Sequence, residues 1–218
     1  MKQKTTLELL KASDRPRLFK EYVADVKAVE GAGDRYRFRI TTNDIDRDRD
    51  SISPVGWQLA SYLKNPVVLW AHDYARLPVA TTLTMEVDEH GLVAVADFAE
   101  TSKLDPFAAA VAGMVRIGVL RATSVGFRPI KWVFNEERKG IDFEEQELLE
   151  YSIVPVPANA DCLVEARSAG IDIEPLREWA EKTLERLGRG EDRIAAAAAA
   201  SIAEEFRKQA AARKFYAA

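Results

Sequence analysis

The stretch "ATTLTMEVDEHGLVAVADFAE", residues 80–100, reads as two strands folded back on each other. Threonine, valine and other strand-forming residues flank the polar tetrad "DEHG", which supplies a tight reversal. His90 sits in that turn, where a solvated side chain is expected. A hairpin here makes antiparallel pairing the theme, and segments on both sides fit it. Upstream, "DRYRFRITT" (34–42) alternates Tyr36, Phe38 and Ile40 with Arg35, Arg37 and Arg39. That period of two marks a half-buried strand. "EYVADVKAVE" (21–30) alternates less cleanly, with Tyr22, Ala24, Val26 and Ala28 on one face. "EGAGD" between the two segments is a turn signal.

Further strands are expected at "PVVLWAH" (66–72), "RATSVGFRPIKWVF" (121–134) and "QELLEYSIVPVP" (146–157). "NEERKGIDFEE" (135–145) reads as a charged connection between the last two. Two segments have helical spacing. "SPVGWQLASYLKN" (53–65) places Pro54 near a start, followed by Trp57, Leu59, Ala60 and Leu63. "DPFAAAVAGMVRIGVL" (105–120) has Asp105 as N-cap, Pro106 at the first helical position and Gly118 as a stop. Six or seven strands with two helices, and no strict β-α alternation, predict a mainly β fold with flanking helices (α+β). The expected form is a closed, mostly antiparallel barrel with the helices outside. The chain divides into a flexible N-terminal arm (1–19), a folded domain (20–167) and a helical, Ala-rich tail (168–218). In the tail, Leu176, Trp179, Ala180, Leu184 and Leu187 mark one helical face; Ile194, Ala198, Ile202 and Phe206 mark another. Such a tail packs on the domain, lies free in solvent, or serves as a handle for a partner helix.

Composition removes several classes of function. The net charge of −4 lacks the basic excess of a nucleic-acid binder. One cysteine, Cys162, excludes an internal disulfide and fits a reducing compartment. No run of about 18 apolar residues predicts a membrane span, and the first residues lack a secretory pattern, so a cytoplasmic protein is expected. The acidic spacing of "NDIDRDRDSISP" (43–54) resembles a calcium loop. Arg47 and Arg49 would oppose a cation and no glycine sits at the sharp turn, so a solvated connector is preferred. With two histidines and one cysteine, neither a metal site nor a cofactor is expected.

His72 ends an apolar run in "LWAHDYARLP" (69–78), where it could be a packed side chain, a ligand or a base. A base needs a hydroxyl within hydrogen-bond reach and a third group to orient the ring. Ser124 offers the hydroxyl. On strand parity it shares a face with Ala122 and Gly126, whose small size leaves room above it, while Thr123, Val125 and Phe127 face the packing. There is no Gly-x-Ser-x-Gly elbow, so an α/β-hydrolase is not supported. Glu147 and Glu150 lie in an apolar strand, where a carboxylate is costly to bury unless paired. On parity Glu150 goes with Leu148, Ser152 and Val154, and Glu147 with Leu149, Tyr151 and Ile153.

Three segments in this order, "VVLWAHDYARLPVA", "GVLRATSVGF" and "ELLEYSIVPVPANADC", resemble the prohead proteases of tailed phages. These are serine peptidases of capsid maturation, similar in turn to the herpesvirus assemblins with their closed antiparallel barrel. The resemblance covers about residues 20–167. It implies a catalytic His72, a nucleophilic Ser124 and an acidic third member at Glu150, with Glu147 as the alternative. It also implies a serine endopeptidase cleaving scaffold and capsid-protein segments, and itself, inside the assembling procapsid in the host cytoplasm. Dimerisation of the assemblins makes a homo-oligomer a further expectation. Oxyanion donors are expected near Pro157–Ala160. Where relatives carry Ile-Gly, this chain has Val79-Ala80. The competing expectation is a non-enzymatic capsid assembly or scaffolding protein with a barrel domain and helical tail.

Overall fold

The computed structural model describes residues 5–155, 169–186, 199–200, 202–204 and 207. Ten strands form one sheet: β1 (Leu18–Val23), β2 (Val26–Ala28), β3 (Arg35–Arg39), β4 (Ser51–Ile52), β5 (Trp57–Gln58), β6 (Val67–Trp70), β7 (Ala80–Val87), β8 (Leu92–Asp97), β9 (Ala122–Asn135) and β10 (Gly140–Val154). The order is β1-β9-β10-β6-β7-β8-β3-β2, with β4 and β5 also paired to β10. Among the described residues, helices α1 (Thr6–Lys11), α2 (Ala99–Leu104), α3 (Pro106–Arg116) and α4 (Glu174–Arg186) accompany the sheet.

The mainly β architecture agrees with the alternation in the sequence, but the closed barrel does not form. The sheet is a curled, open half-barrel. Its end strands β1 and β2 follow one another along the chain through the corner Ala24–Asp25. No pairing joins β1 to β2, so no ladder closes the ring. The pairing is antiparallel except where β4, β5 and β6 run parallel to β10. The strand count exceeds the expected six or seven because β2, β4 and β5 are only two or three residues long.

The β7–β8 hairpin turns at Asp88–Gly91 as expected, with Asp88 Oδ1 accepting the N–H groups of His90 and Gly91. Between β9 and β10 the expected charged connection is much shorter. "IDFEE" continues the ladder because Ile141 and Phe143 are buried, while Asp142 and Glu144 alternate with them. The helix expected over 53–65 is replaced by short 3-10 turns at Pro54–Gly56 and Tyr62–Lys64, with β5 between them. Gly56 lies against the β10 backbone: a Cβ there would sit 1.9 Å from the Glu144 carbonyl oxygen. The following Trp57–Gln58 is paired to β10. That pairing claims the backbone groups a helix would need. Trp57 instead packs edge-on to Phe127, with centroids 5.8 Å apart.

α3 forms as its caps predict. Asp105 accepts the Phe107 N–H at 3.0 Å, and Gly118 takes the left-handed conformation (φ 78°) just past the end. In the tail, α4 buries Leu176, Trp179 and Ala180, as the helical face required. Trp179 packs edge-on to Trp70 and tilted against Phe107, with centroids 5.6 and 6.2 Å apart. Ile202 of the second expected face is buried too, whereas Leu187, Ile194, Ala198 and Phe206 lie outside the described residues, as does the side chain of Leu184. Among the described residues no helix is long and apolar enough to cross a membrane.

The segment expected as a flexible arm is structured from Thr5 onward. α1 has a capping box, with Thr5 and Glu8 satisfying each other's backbone N–H, and its Leu10 joins the core. β1 then carries Lys20, only 6% exposed. Its ammonium sits among Asp46, Asp48 and Asp50 at 2.7, 2.8 and 2.7 Å. The acidic loop is therefore not simply a solvated connector: it closes around an internal cation. Asp50 also accepts the Ile141 N–H and the Thr6 hydroxyl, both at 2.7 Å, so the cluster joins α1, β1 and β10. Burial opposes the charged ammonium, yet the three carboxylates outweigh it and hold the Lys20 pKa above its ordinary value. A raised folded-state pKa gives stability that is complete below the unfolded lysine value and lost as pH rises through the folded one. Lys20→Met leaves the carboxylates facing one another. It is expected to cost roughly 3–5 kcal/mol in urea unfolding at pH 7; a loss under about 1 kcal/mol would show the cluster to be a surface feature.

Candidate active site

Three neighbouring strands build the site, with β10 in the middle, β9 antiparallel on one side and β6 parallel on the other. Ser124 lies on β9, directly opposite Ser152 of β10, and Gly126 lies opposite Glu150. His72 follows the end of β6. There the chain makes two consecutive left-handed residues, Ala71 (φ 47°) and His72 (φ 57°). Such conformations cost roughly 1–3 kcal/mol each for residues with a Cβ and collect at functional sites. They swing the imidazole back over the sheet.

His72 Nε2 is 2.7 Å from Ser124 Oγ, and its Nδ1 is 2.6 Å from Glu150 Oε1. An ionised carboxylate only accepts; facing one, a neutral ring would carry its proton on Nδ1 and accept from the Ser124 hydroxyl at Nε2. The structure thus brings all three sequence candidates into one hydrogen-bonded row. His72 and Ser124 are 0% exposed and Glu150 is 3% exposed. Buried hydrogen bonds of this kind act in a low dielectric, where they are electrostatically stronger than in water.

A β-bulge decides which glutamate faces His72. Leu148 pairs with Phe127 and Glu150 with Gly126, so two steps along β10 match one along β9 and Leu149 is extra. Simple parity put Leu148 on the face of Glu150. The bulge instead sends Leu148 to the core with Phe127 and turns Glu150 toward His72. Glu147, the alternative acid, is opposite Arg128 and binds its guanidinium at 2.6 Å.

Three further residues complete the surroundings. The Phe19 ring covers the imidazole, with centroids 4.4 Å apart. Ser152 Oγ accepts the His72 backbone N–H at 3.0 Å and donates to Glu150 Oε2 at 2.9 Å. The sequence signal for Ser152 was its place two residues beyond Glu150 on a strand; nothing in the sequence marked Phe19. Asp73 accepts from the Ala75 N–H at 3.1 Å and from Trp179 Nε1–H of α4 at 2.9 Å. Beside this link a cleft of about 560 Å³ opens between the His72 loop, α3 and α4, lined by Arg76, Asp105 and Lys182 among others. Arg76 lies over the Phe107 ring at 3.5 Å and reaches Asp105 at 3.1 Å. Pro157–Ala160, where oxyanion donors were expected, and Cys162 fall outside the described residues.

Gly126 has a different use from the one its size implied. The room above it holds the Glu150 carboxylate, not open space: a Cβ there would meet Oε1 at 2.2 Å and Phe19 at 3.0 Å. Gly126→Ala is expected to lower stability by about 1–3 kcal/mol. A crystal structure of that variant should show Glu150 displaced from His72; an intact 2.6 Å contact would refute this account.

The sequence was compared with known proteins. The family model described as caudovirus prohead serine protease matches residues 25–174, a span that includes His72, Ser124 and Glu150. The prohead protease of Escherichia phage T5 is 33% identical over 131 residues, which are 57% of this chain and 60% of that protein. The chain therefore matches about three-fifths of the length of this curated relative. No solved structure matches. With a family model spanning well over half of its residues, the chain belongs to the caudovirus prohead serine protease family.

Proposed function

We propose that the protein is a serine endopeptidase of phage prohead maturation working through Ser124, His72 and Glu150. The observation that carries this reading is the buried row Ser124–His72–Glu150, with bonds of 2.7 and 2.6 Å, in a chain of this family. Ser124 Oγ attacks a peptide carbonyl while His72 Nε2 takes its proton, and the imidazolium then protonates the leaving amine. Glu150 stays ionised. It holds the Nδ1–H tautomer and stabilises the positive ring. Water, activated by the same ring, hydrolyses the acyl-enzyme.

The substrates in this reading are scaffold and capsid-protein segments and the protein's own chain. The place is the interior of an assembling procapsid in the host cytoplasm. Residues 20–167 form the catalytic domain and 168–218 a tail for tethering or self-cleavage. A homo-oligomer is part of the same reading. A reacting carbonyl must come within about 3–3.5 Å of the nucleophile. Ser124 is 0% exposed, so its hydroxyl must become accessible before acylation.

Ser124→Ala is expected to abolish cleavage of a co-expressed scaffold segment while leaving the far-UV circular dichroism unchanged. Unaltered processing would favour the non-enzymatic assembly reading instead. Glu150→Gln should lower the rate by about 10⁴-fold, because an amide can present the wrong partner to Nδ1. Glu147→Gln, which removes only the partly exposed Arg128 pair, should change the rate less than about 3-fold. Equal losses for the two substitutions would contradict the assignment of Glu150.

A further inference from the structure

The buried hydroxyl of Ser152 is bound to the backbone of His72 and to the Glu150 carboxylate, yet the mechanism above gives it no part. Ser152 is 0% exposed. Its oxygen accepts the backbone N–H of His72 at 3.0 Å, its proton goes to Glu150 Oε2 at 2.9 Å, and it lies 3.3 Å from His72 Nδ1. These contacts follow from the register. Ser152 and Glu150 are two residues apart beyond the bulge, so both side chains rise on the same side of β10, facing Ser124 and Gly126 across the ladder. His72 arrives from β6, on the other side of β10 in the sheet, through its left-handed turn.

We infer that Ser152 is a positioning residue for the proposed peptidase: one side chain ties the backbone that carries the base and occupies the second oxygen of the acid. The inference rests on the Ser124–His72–Glu150 reading. Glu150 has two oxygens, and only Oε1 serves the ring. Without a donor on Oε2 the carboxylate is free to rotate about its last bond. Without an acceptor on the His72 N–H, the left-handed turn loses its side-chain tie to β10. Both changes act on the same quantity, the fraction of rings with the proton on Nδ1 and Nε2 aimed at Ser124. Ser152 touches neither the nucleophile's reaction path nor the leaving group. It acts through His72 and Glu150.

The test uses the full-length protein carrying His90→Gln, which removes the only other histidine, an exposed one in the β7–β8 turn. Two readouts are taken: the ring ¹H and ¹⁵N resonances of His72, and the rate at which an alkyl fluorophosphonate labels Ser124. In Ser152→Ala, the downfield Nδ1 proton line should weaken, the ring should populate both tautomers, and labelling should slow roughly 10–100-fold, the scale of losing an outer partner that orients a histidine. Ser152→Thr, which keeps the hydroxyl, should recover both signals. Unchanged ring resonances and labelling in folded Ser152→Ala overturn the inference, as does a folded Ser152→Thr that behaves like the alanine variant. Should Ser152→Ala not fold, Ser152→Cys serves, since a thiol is a weak donor: slowed labelling supports the role, and a wild-type rate overturns it. Failure of the protein with native Ser152 to be labelled at Ser124 overturns the underlying mechanism instead.

Discussion

A carboxylate in the middle of a sheet governs much of this structure. Glu150 sits on the central strand β10 with almost no exposure, and an unpaired charge there would cost several kcal/mol. Every neighbour answers that cost. His72 takes one oxygen and Ser152 the other. Gly126 gives up a side chain so that the carboxylate can lie against the β9 backbone. The same demand explains the left-handed turn at Ala71–His72: a chain leaving β6 in extended form would carry the ring past the acid. The strain in that turn is offset by the bonds it makes possible.

The strand order makes the arrangement available. β9 and β10 form a long hairpin, so Ser124 and Glu150 come together through local pairing. β6 reaches β10 from far upstream in the chain and lies parallel to it, which places its C-terminal end, with His72 just beyond, beside the C-terminal part of β10. Membership in the caudovirus prohead serine protease family gives this geometry its functional context.

Two further polar links hold the frame around the site. At one end, Lys20 draws Asp46, Asp48 and Asp50 onto β1, and Asp50 continues the link to β10. Because β1 also carries Phe19, this cluster and the cover over the imidazole are set by the same strand. At the other end, Asp73 binds Trp179, so α4 is joined to the residue next to His72. Each link contains a buried carboxylate with explicit donors, Asp50 in one and Asp73 in the other, the same solution found at Glu150.

Much of this was legible in the residues. Alternation at 34–42 and 80–97 marked strands, because one sheet face is buried. Asp105 and Pro106 marked the start of α3, because an N-cap and a ring-fixed φ act within one turn. A buried acid among apolar residues, a serine between small neighbours and a histidine at the end of an apolar run named the site candidates. These signals are local, and local chemistry fixes them. Only the tertiary structure decided the rest. The segment 53–65 has helical spacing, but its Trp57–Gln58 pairs with β10, which takes up backbone groups a helix would need. "IDFEE" looked like a connector because its charges hid an alternation that needs β9 as partner. Which of Glu147 and Glu150 faces His72 turned on one extra residue, Leu149, in a ladder. The sheet stays open because no ladder joins its end strands β1 and β2. Register, bulges and closure depend on which backbone groups meet across distance, and no stretch of sequence carries that information by itself.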